Sequence, residues 1–311
     1  MRHITAENIH RLVSPADLVA PLREAFVKGI SAPERAHHTV PNDGGADATL
    51  LLMPAWRPGG LLGVKVATVF PDNAQRSLPS VMAQYLLLSA VTGEPLALLD
   101  GRALTLVRTA AVSALAADYL ARRESSVLLM VGTGELAPYL VEAHVAQHAI
   151  ARVIVWGRDP AKAAALVAQL RGRFDCQIDA SGNLEEAVSA ADIISCATLS
   201  QAPLVRGAWL RPGTHLDLVG GFTPKMREAD DAAMERSGAV VVDSATALSE
   251  AGDLMGPIQS GALDIGQVRT LADVISGKAP GRSGAAEITV FKSVGTALAD
   301  LTAAEEVIKR A

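Results

Sequence analysis

The chain has 311 residues, half of them hydrophobic and a fifth charged, with a formal net charge of −5. This length fits two domains that each bury a core, and an acidic balance without any Lys/Arg run excludes nucleic acid as a partner. Apolar runs are broken by Gly, Pro or charge well short of the about 18 residues that a membrane span requires, so no membrane association is expected.

Residues Ser14–Gly29 carry Leu18, Leu22, Ala25 and Phe26 at helical spacing. Extended segments follow at Ala48–Pro54 and Leu61–Val69, set off by Pro/Gly/Asn loops at Pro41–Gly45 and Pro71–Asn73. Ser80–Ser89 reads as another strand, and the turn Thr92-Gly93-Glu94 leads into Pro95–Leu99. An Ala-rich helix over Leu104–Arg122 then bridges two halves of the chain. From Ser125 the pattern changes to strand–helix alternation. Strands are predicted at Val127–Val131, Val153–Trp156, Ala191–Cys196, His215–Val219 and Ala239–Asp243. Helices are predicted over Glu135–His148 and from Asp159-Pro160 to Leu170, with Asp159 as the cap and Pro160 at the first helical position. Val290–Arg310 reads as a strand end followed by a helix. The fold class expected is α/β: a doubly wound Rossmann domain over 121–289, and an α+β domain over 1–120 completed by 290–311. Cys176 and Cys196 form no C-x-x-C, and the N-terminus has no apolar h-region, so a reducing, cytoplasmic setting is expected.

The strongest motif is Val131-Gly132-Thr133-Gly134-Glu135-Leu136-Ala137, a G-x-G-x-x-A between a predicted strand and helix. Gly132 allows the tight turn, Gly134 admits a pyrophosphate to the backbone, and Ala137 lets helix and strand pack closely. The helix N-terminus adds unpaired N–H groups and partial positive charge. An ordinary glycine turn is the competing reading, against which the strand–helix context weighs. The next strand ends in Trp156-Gly157-Arg158. An enzyme that uses NAD usually carries a carboxylate there for the ribose 2′-hydroxyl. Arg158 instead suits a 2′-phosphate. NADPH is therefore the expected cofactor, with NADH accepted less efficiently, and a solvated Arg158 is the alternative. Cys196, Ala197 and Thr198 end a later strand, where the switch-point rule places them near the cofactor. Thr198 is either a contact or a plain loop residue. Val219 and Ser293 complete the expected cofactor set.

Three basic residues of the first half stand out. Arg108 lies in the apolar stretch Leu104–Val112 with no carboxylate at i±3 or i±4. A buried Arg needs a partner, so it pairs either with a distant Asp or Glu or with a ligand carboxylate. If Thr105 caps the helix, the nearby N-terminus strengthens the second reading. Lys65 interrupts an apolar strand, and a solvent-facing lysine is the favoured reading of its residues alone. Arg35 precedes His37-His38, a pair with no third metal ligand at suitable spacing, so no metal is expected.

Taken together, Pro33-Glu34-Arg35, Leu51-Leu52-Met53-Pro54, Gly63-Val64-Lys65, Leu78–Ala83, Val107-Arg108-Thr109-Ala110-Ala111, Gly132-Thr133-Gly134 and Ile288–Gly295 resemble the ornithine cyclodeaminase/μ-crystallin family over nearly the whole chain. The resemblance implies substrate-carboxylate contacts from Arg35, Lys65 and Arg108, a homodimer formed through the first domain, and a substrate lying between the two domains. Cyclodeaminases of that family carry an acid after the Gly-Gly of Val219-Gly220-Gly221, where this chain has Phe222. They also carry a glutamate where this chain has Leu51. Phe222-Thr223-Pro224-Lys225-Met226-Arg227-Glu228 looks instead like the bacterial reductases of Δ1-pyrroline-2-carboxylate and Δ1-piperideine-2-carboxylate. The activity this implies is reduction of a small cyclic imino acid to L-proline or L-pipecolate. Lys65 is one source of the imine proton, and Ser80 and Thr223 are polar candidates near the nitrogen. Phe222 would wall the ring methylenes. An ornithine cyclodeaminase, an alanine dehydrogenase-like enzyme and a non-catalytic crystallin-like NADPH-binding protein are the competing readings.

Overall fold

A computed structural model describes residues 1–76 and 78–311. In chain order its elements are β1 (Arg2–Ile4), α1 (Ala6–Leu12), α2 (Pro15–Lys28), β2 (Ala36–Val40), β3 (Ala48–Trp56), β4 (Leu61–Val69), β5 (Val81–Ser89), β6 (Pro95–Asp100) and α3 (Gly101–Leu120). Then come β7 (Val127–Val131), α4 (Ala137–Gln147), β8 (Arg152–Trp156), α5 (Pro160–Leu170), β9 (Gln177–Ala180), α6 (Leu184–Ala190), β10 (Ile193–Cys196) and β11 (His215–Leu218). The last are α7 (Asp231–Glu235), β12 (Ser237–Val242), α8 (Ala247–Glu250), α9 (Gly252–Ser260), β13 (Val268–Thr270), α10 (Leu271–Ile275), β14 (Ile288–Lys292) and α11 (Ala297–Arg310).

The chain divides into two units, Met1–Thr109 with Thr296–Ala311, and Ala110–Gly295. The division cuts α3, because Ala110 and Ala114 pack into the core of the second unit.

The first unit is a six-stranded sheet in the order β1-β6-β5-β4-β3-β2, antiparallel except for the β1–β6 pair. Alternation along the strands sorts side chains to two faces. One face carries Met53, Lys65, Tyr85 and Leu99, all buried. α11 packs on β3, β4 and α2. The other face carries Leu52, Val66 and Gln84 in one cross-strand row and Thr68 and Met82 in the next. It stays open, with Val66 40% and Met82 39% exposed. Capping boxes start both N-terminal helices, Thr5 with Asn8 on α1 and Ser14 with Asp17 on α2.

The second unit is an all-parallel sheet in the order β13-β12-β14-β11-β10-β7-β8-β9. Alternate residues of β7 feed two cores on opposite faces: Leu129 and Val131 join one, Leu128 and Met130 the other. This is the doubly wound α/β architecture expected, and the strand order reverses between β7 and β10.

Two readings of the sequence need correction here. α3 begins at Gly101, not Leu104, and Ala103 N–H donates to the Asp100 carboxylate at 2.8 Å. Thr105 is therefore inside the helix, its hydroxyl donating to the Gly101 carbonyl at 2.7 Å. Second, α3, 20 residues long, is by length and composition apolar enough to cross a membrane. In the fold it is a core helix, with Leu104, Val107, Ala111 and Leu115 buried.

Candidate active site

In the first unit, two buried cations share one buried carboxylate. Lys65 Nζ lies 2.7 Å from Asp300 Oδ2, and Arg108 Nε lies 2.8 Å from Asp300 Oδ1. β4 delivers the lysine, α3 the arginine and the first turn of α11 the aspartate. Lys65 and Arg108 are each 4% exposed and Asp300 is fully buried. The two positive charges thus exceed the negative one, and Arg35 adds a third cation whose field reaches Lys65. Burial lowers the Lys65 ammonium to about 8; Asp300 opposes that effect, and Arg108 and Arg35 add to it. Burial raises the Asp300 carboxyl, but Arg108 and Lys65 outweigh it and hold the group below the usual carboxylate range. The Arg108 contact uses Nε, so the Nη1–Nη2 edge, the fork that matches a carboxylate, makes no bond to Asp300.

Both alternatives for Arg108 therefore bear on the structure: it has a distant Asp partner and lies in a cluster with surplus positive charge. Lys65 is not the solvent-facing lysine favoured from its residues. The alternation was read with the right parity, but Val64 and Val66 occupy the open face and Lys65 the covered one. Nor is Arg108 beside a helix N-terminus, because α3 starts two turns earlier. Asp300 was missed altogether. Its signal was a lone carboxylate in the apolar run Ala297–Ala304. Ser80 is half-buried in the loop before β5.

In the second unit, the loops beyond the carboxyl ends of β7, β8, β10 and β11 form the crevice side of the sheet. Gly132 has φ +119°, and a Cβ there would lie 2.5 Å from the Ala197 carbonyl oxygen, so only glycine lets the β7 and β10 loops meet. Gly134 is exposed, and a Cβ there would meet nothing within 4 Å of the chain. Its backbone faces open space, as approach by a pyrophosphate requires. α4 begins at Ala137 rather than Glu135, and no side chain caps it at Leu136. Gly157 packs against Thr133, where a Cβ would lie 2.7 Å from Cγ2. Arg158 is exposed at the end of β8, and Asp159 is spent as the cap of α5, accepting from Ala161 N–H at 2.9 Å. These features fit a dinucleotide held at the start of α4, with Arg158 beside the adenosine ribose.

Several expected cofactor contacts are engaged within the protein. The Cys196 thiol is buried in the core, and its carbonyl accepts from Val219 N–H. Val219 is itself packed in the opposite core. Ser293 is buried and gives its hydroxyl to Asp243 at 2.8 Å. Thr198 gives both its N–H and its hydroxyl to Glu228, at 2.7 and 2.9 Å. Phe222 packs half-buried against the core, and the Thr223 carbonyl accepts from Met226 and Gly252 N–H. Among the described residues no group of three or more His, Cys, Asp and Glu could hold a metal.

The model of the ornithine cyclodeaminase/mu-crystallin family matches residues 3–311. The chain belongs to that family. A curated relative in the family, the Delta(1)-pyrroline-2-carboxylate reductase of Colwellia psychrerythraea, is 38% identical, with 100% of this chain and 99% of the relative covered. Among solved structures, Thermococcus litoralis Delta(1)-pyrroline-2-carboxylate reductase in complex with NADH and L-proline superposes with a TM-score of 0.94. Its identity is 31%, with 100% of this chain and 97% of that chain covered. An archaeal alanine dehydrogenase dimer with bound NAD gives a TM-score of 0.91 at 29% identity, covering 100% and 95%. This family member thus shares its full-length fold with proteins solved on nicotinamide dinucleotides.

Proposed function

We propose that the chain reduces the C=N bond of a cyclic imino acid, Δ1-pyrroline-2-carboxylate and its six-membered homologue, to L-proline and L-pipecolate. The observation that carries this reading is the surplus positive charge of Lys65 and Arg108 over Asp300, which suits a monoanionic carboxylate. A bound nicotinamide dinucleotide supplies the hydride for the imine carbon. Arg108 holds the substrate carboxylate through its Nη edge, Arg35 adds field, and fixing that group orients the C=N bond. Lys65 Nζ, protonated at neutral pH and lowered to about 8, is suited to give its proton to the imine nitrogen. Asp300 keeps the ammonium aimed and charged. Phe222, where cyclodeaminases of the family carry an acid, favours the reductase over a cyclodeaminase.

NADPH is the preferred cofactor in this reading. It is supported by exposed Arg158 at the tip of β8 and by the use of Asp159 as a helix cap. The protein works as a homodimer, supported by the open apolar face of the first unit's sheet around Val66 and Met82. The free cysteines Cys176 and Cys196 suit the cytoplasm. The test is NADPH oxidation with Δ1-pyrroline-2-carboxylate and Δ1-piperideine-2-carboxylate, set against pyruvate with ammonia and against L-ornithine. Turnover with the cyclic imines and none with the other two is expected. Ammonia release from L-ornithine without NADPH oxidation would overturn the reading.

A further inference from the structure

The loops after β10 and β11 are held together by one carboxylate. Glu228 Oε1 accepts from the Thr198 N–H at 2.7 Å and the Thr198 hydroxyl at 2.9 Å. Oε2 accepts from Gly220 N–H at 2.7 Å and Gly221 N–H at 3.3 Å. Glu228 is fully buried, and its own N–H donates to Asp253 Oδ1 at 2.7 Å. The other Asp253 oxygen takes Lys292 Nζ at 3.0 Å, again with both groups buried. The two loops touch backbone to backbone: a Cβ on Gly220 would lie 2.1 Å from the Thr198 carbonyl oxygen. Four donors therefore converge on one side chain, and the ionised carboxylate accepts from all of them with two charged oxygens.

In a doubly wound sheet the ligand lies beyond the carboxyl ends of the strands, one mononucleotide on each side of the switch point. The β7-β8-β9 side carries Gly132, Gly134 and Arg158 and so takes the adenosine half. β10 and β11 lie on the other side. We propose that Glu228 is a positioning residue for the nicotinamide half of the cofactor, tying Thr198 to Gly220-Gly221 so that the two loops form one rigid surface for it. The inference rests on the reading of this crevice as a dinucleotide site.

The groups facing the carboxylate are Lys292 on β14, Asp253 on α9 and Cys196 on β10. Burial pushes Glu228 up to about 7; Lys292 and the Thr198 donors pull against it, and Asp253 adds to it. Protonation near neutral pH removes the negative charge that strengthens these four bonds and loosens the clamp. Glu228→Gln does the same at every pH, because the amide NH2 must face one of the pairs.

The experiment measures NADH binding by fluorescence from pH 6 to 8.5, and ADP binding in parallel as a probe of the adenosine half. NADH carries no group that titrates there. In the unaltered protein, NADH affinity should rise through about pH 7. In Glu228→Gln, NADH should bind about tenfold more weakly, the loss of one charge-assisted bond, with no rise through pH 7 and with ADP unchanged within twofold. Thr198→Val removes one of the four donors and should weaken NADH about threefold while sparing ADP, which keeps the test open if Glu228→Gln does not fold. Equal weakening of NADH and ADP, or unchanged NADH binding in both variants, overturns the positioning role. Failure of the unaltered protein to bind NADH or NADPH overturns the crevice reading itself, and the proposal with it.

Discussion

Replacing Asp300 by Asn removes the carboxylate that Lys65 and Arg108 share while keeping its shape. Two buried cations are left facing each other and Arg35 without a counter-charge. Breaking a buried pair by removing one partner costs about 3–5 kcal/mol, so Tm should fall by roughly 10 °C for a chain of this size. The effect on chemistry is more specific. Lys65 already stands at about 8 because burial lowers it and Asp300 holds it up from 2.7 Å away. An opposite charge at such range moves a titration by about 1–3 pH units. The activity that depends on protonated Lys65 should therefore fall along an alkaline edge near pH 8 in the unaltered enzyme. In Asp300→Asn the edge should move acidward by about 1–3 pH units, with activity partly restored at pH 6. The assay is kcat/KM for imine reduction from pH 5.5 to 9.5, with folding checked at each pH. An alkaline edge that stays in place would refute the role given to Lys65 and the ion-pair reasoning behind it.

Three further outcomes follow from the same structure. Arg158→Ala should lower kcat/KM for NADPH about tenfold or more and leave NADH nearly unchanged; a loss shared by both cofactors would show that the guanidinium does not read the 2′-phosphate. Val66→Lys with Met82→Lys should convert a dimer to a monomer in sedimentation, because both charges enter the open apolar face of β4 and β5; an unchanged mass would place the interface elsewhere. His148 is largely covered beside His144, and burial, then His144, lowers it to about 4. The unfolded chain therefore binds its proton first, so stability is full above about pH 6.5 and declines by about 3 kcal/mol as pH falls to 4. His148→Gln should flatten that decline in a series of melting curves, and an equally steep decline would assign acid sensitivity to other groups.

The second unit was largely legible because its signals are local. Strand and helix periods alternate, Gly132 takes the positive φ that its motif implies, and Asp159 caps α5 as read. The first unit hid its chemistry in long-range pairs. Arg108 and Asp300 lie 192 residues apart, so no window of sequence contains both. From its own strand alone Lys65 reads as solvent-facing, because alternation tells which residues share a face, not which face the rest of the chain covers. Here α11 packs on β4, while the Val66 face stays open. Thr198 and Ser293 give their hydroxyls to buried carboxylates, Glu228 and Asp243, whose burial no local pattern announces. The Gly101 start of α3 was missed because Gly is a poor helix former, yet any Cβ there would lie 2.8 Å from the backbone of β5.

The most direct test of the central claim is kcat/KM for reduced dinucleotide oxidation with Δ1-pyrroline-2-carboxylate, measured in the unaltered protein and in Arg108→Ala. The account predicts turnover that yields one L-proline per dinucleotide oxidised, and a fall of about 100-fold in the variant, the worth of one guanidinium–carboxylate pair at roughly 3 kcal/mol. Turnover that survives Arg108→Ala intact would contradict the carboxylate anchor, and absence of turnover in the unaltered protein would contradict the account as a whole.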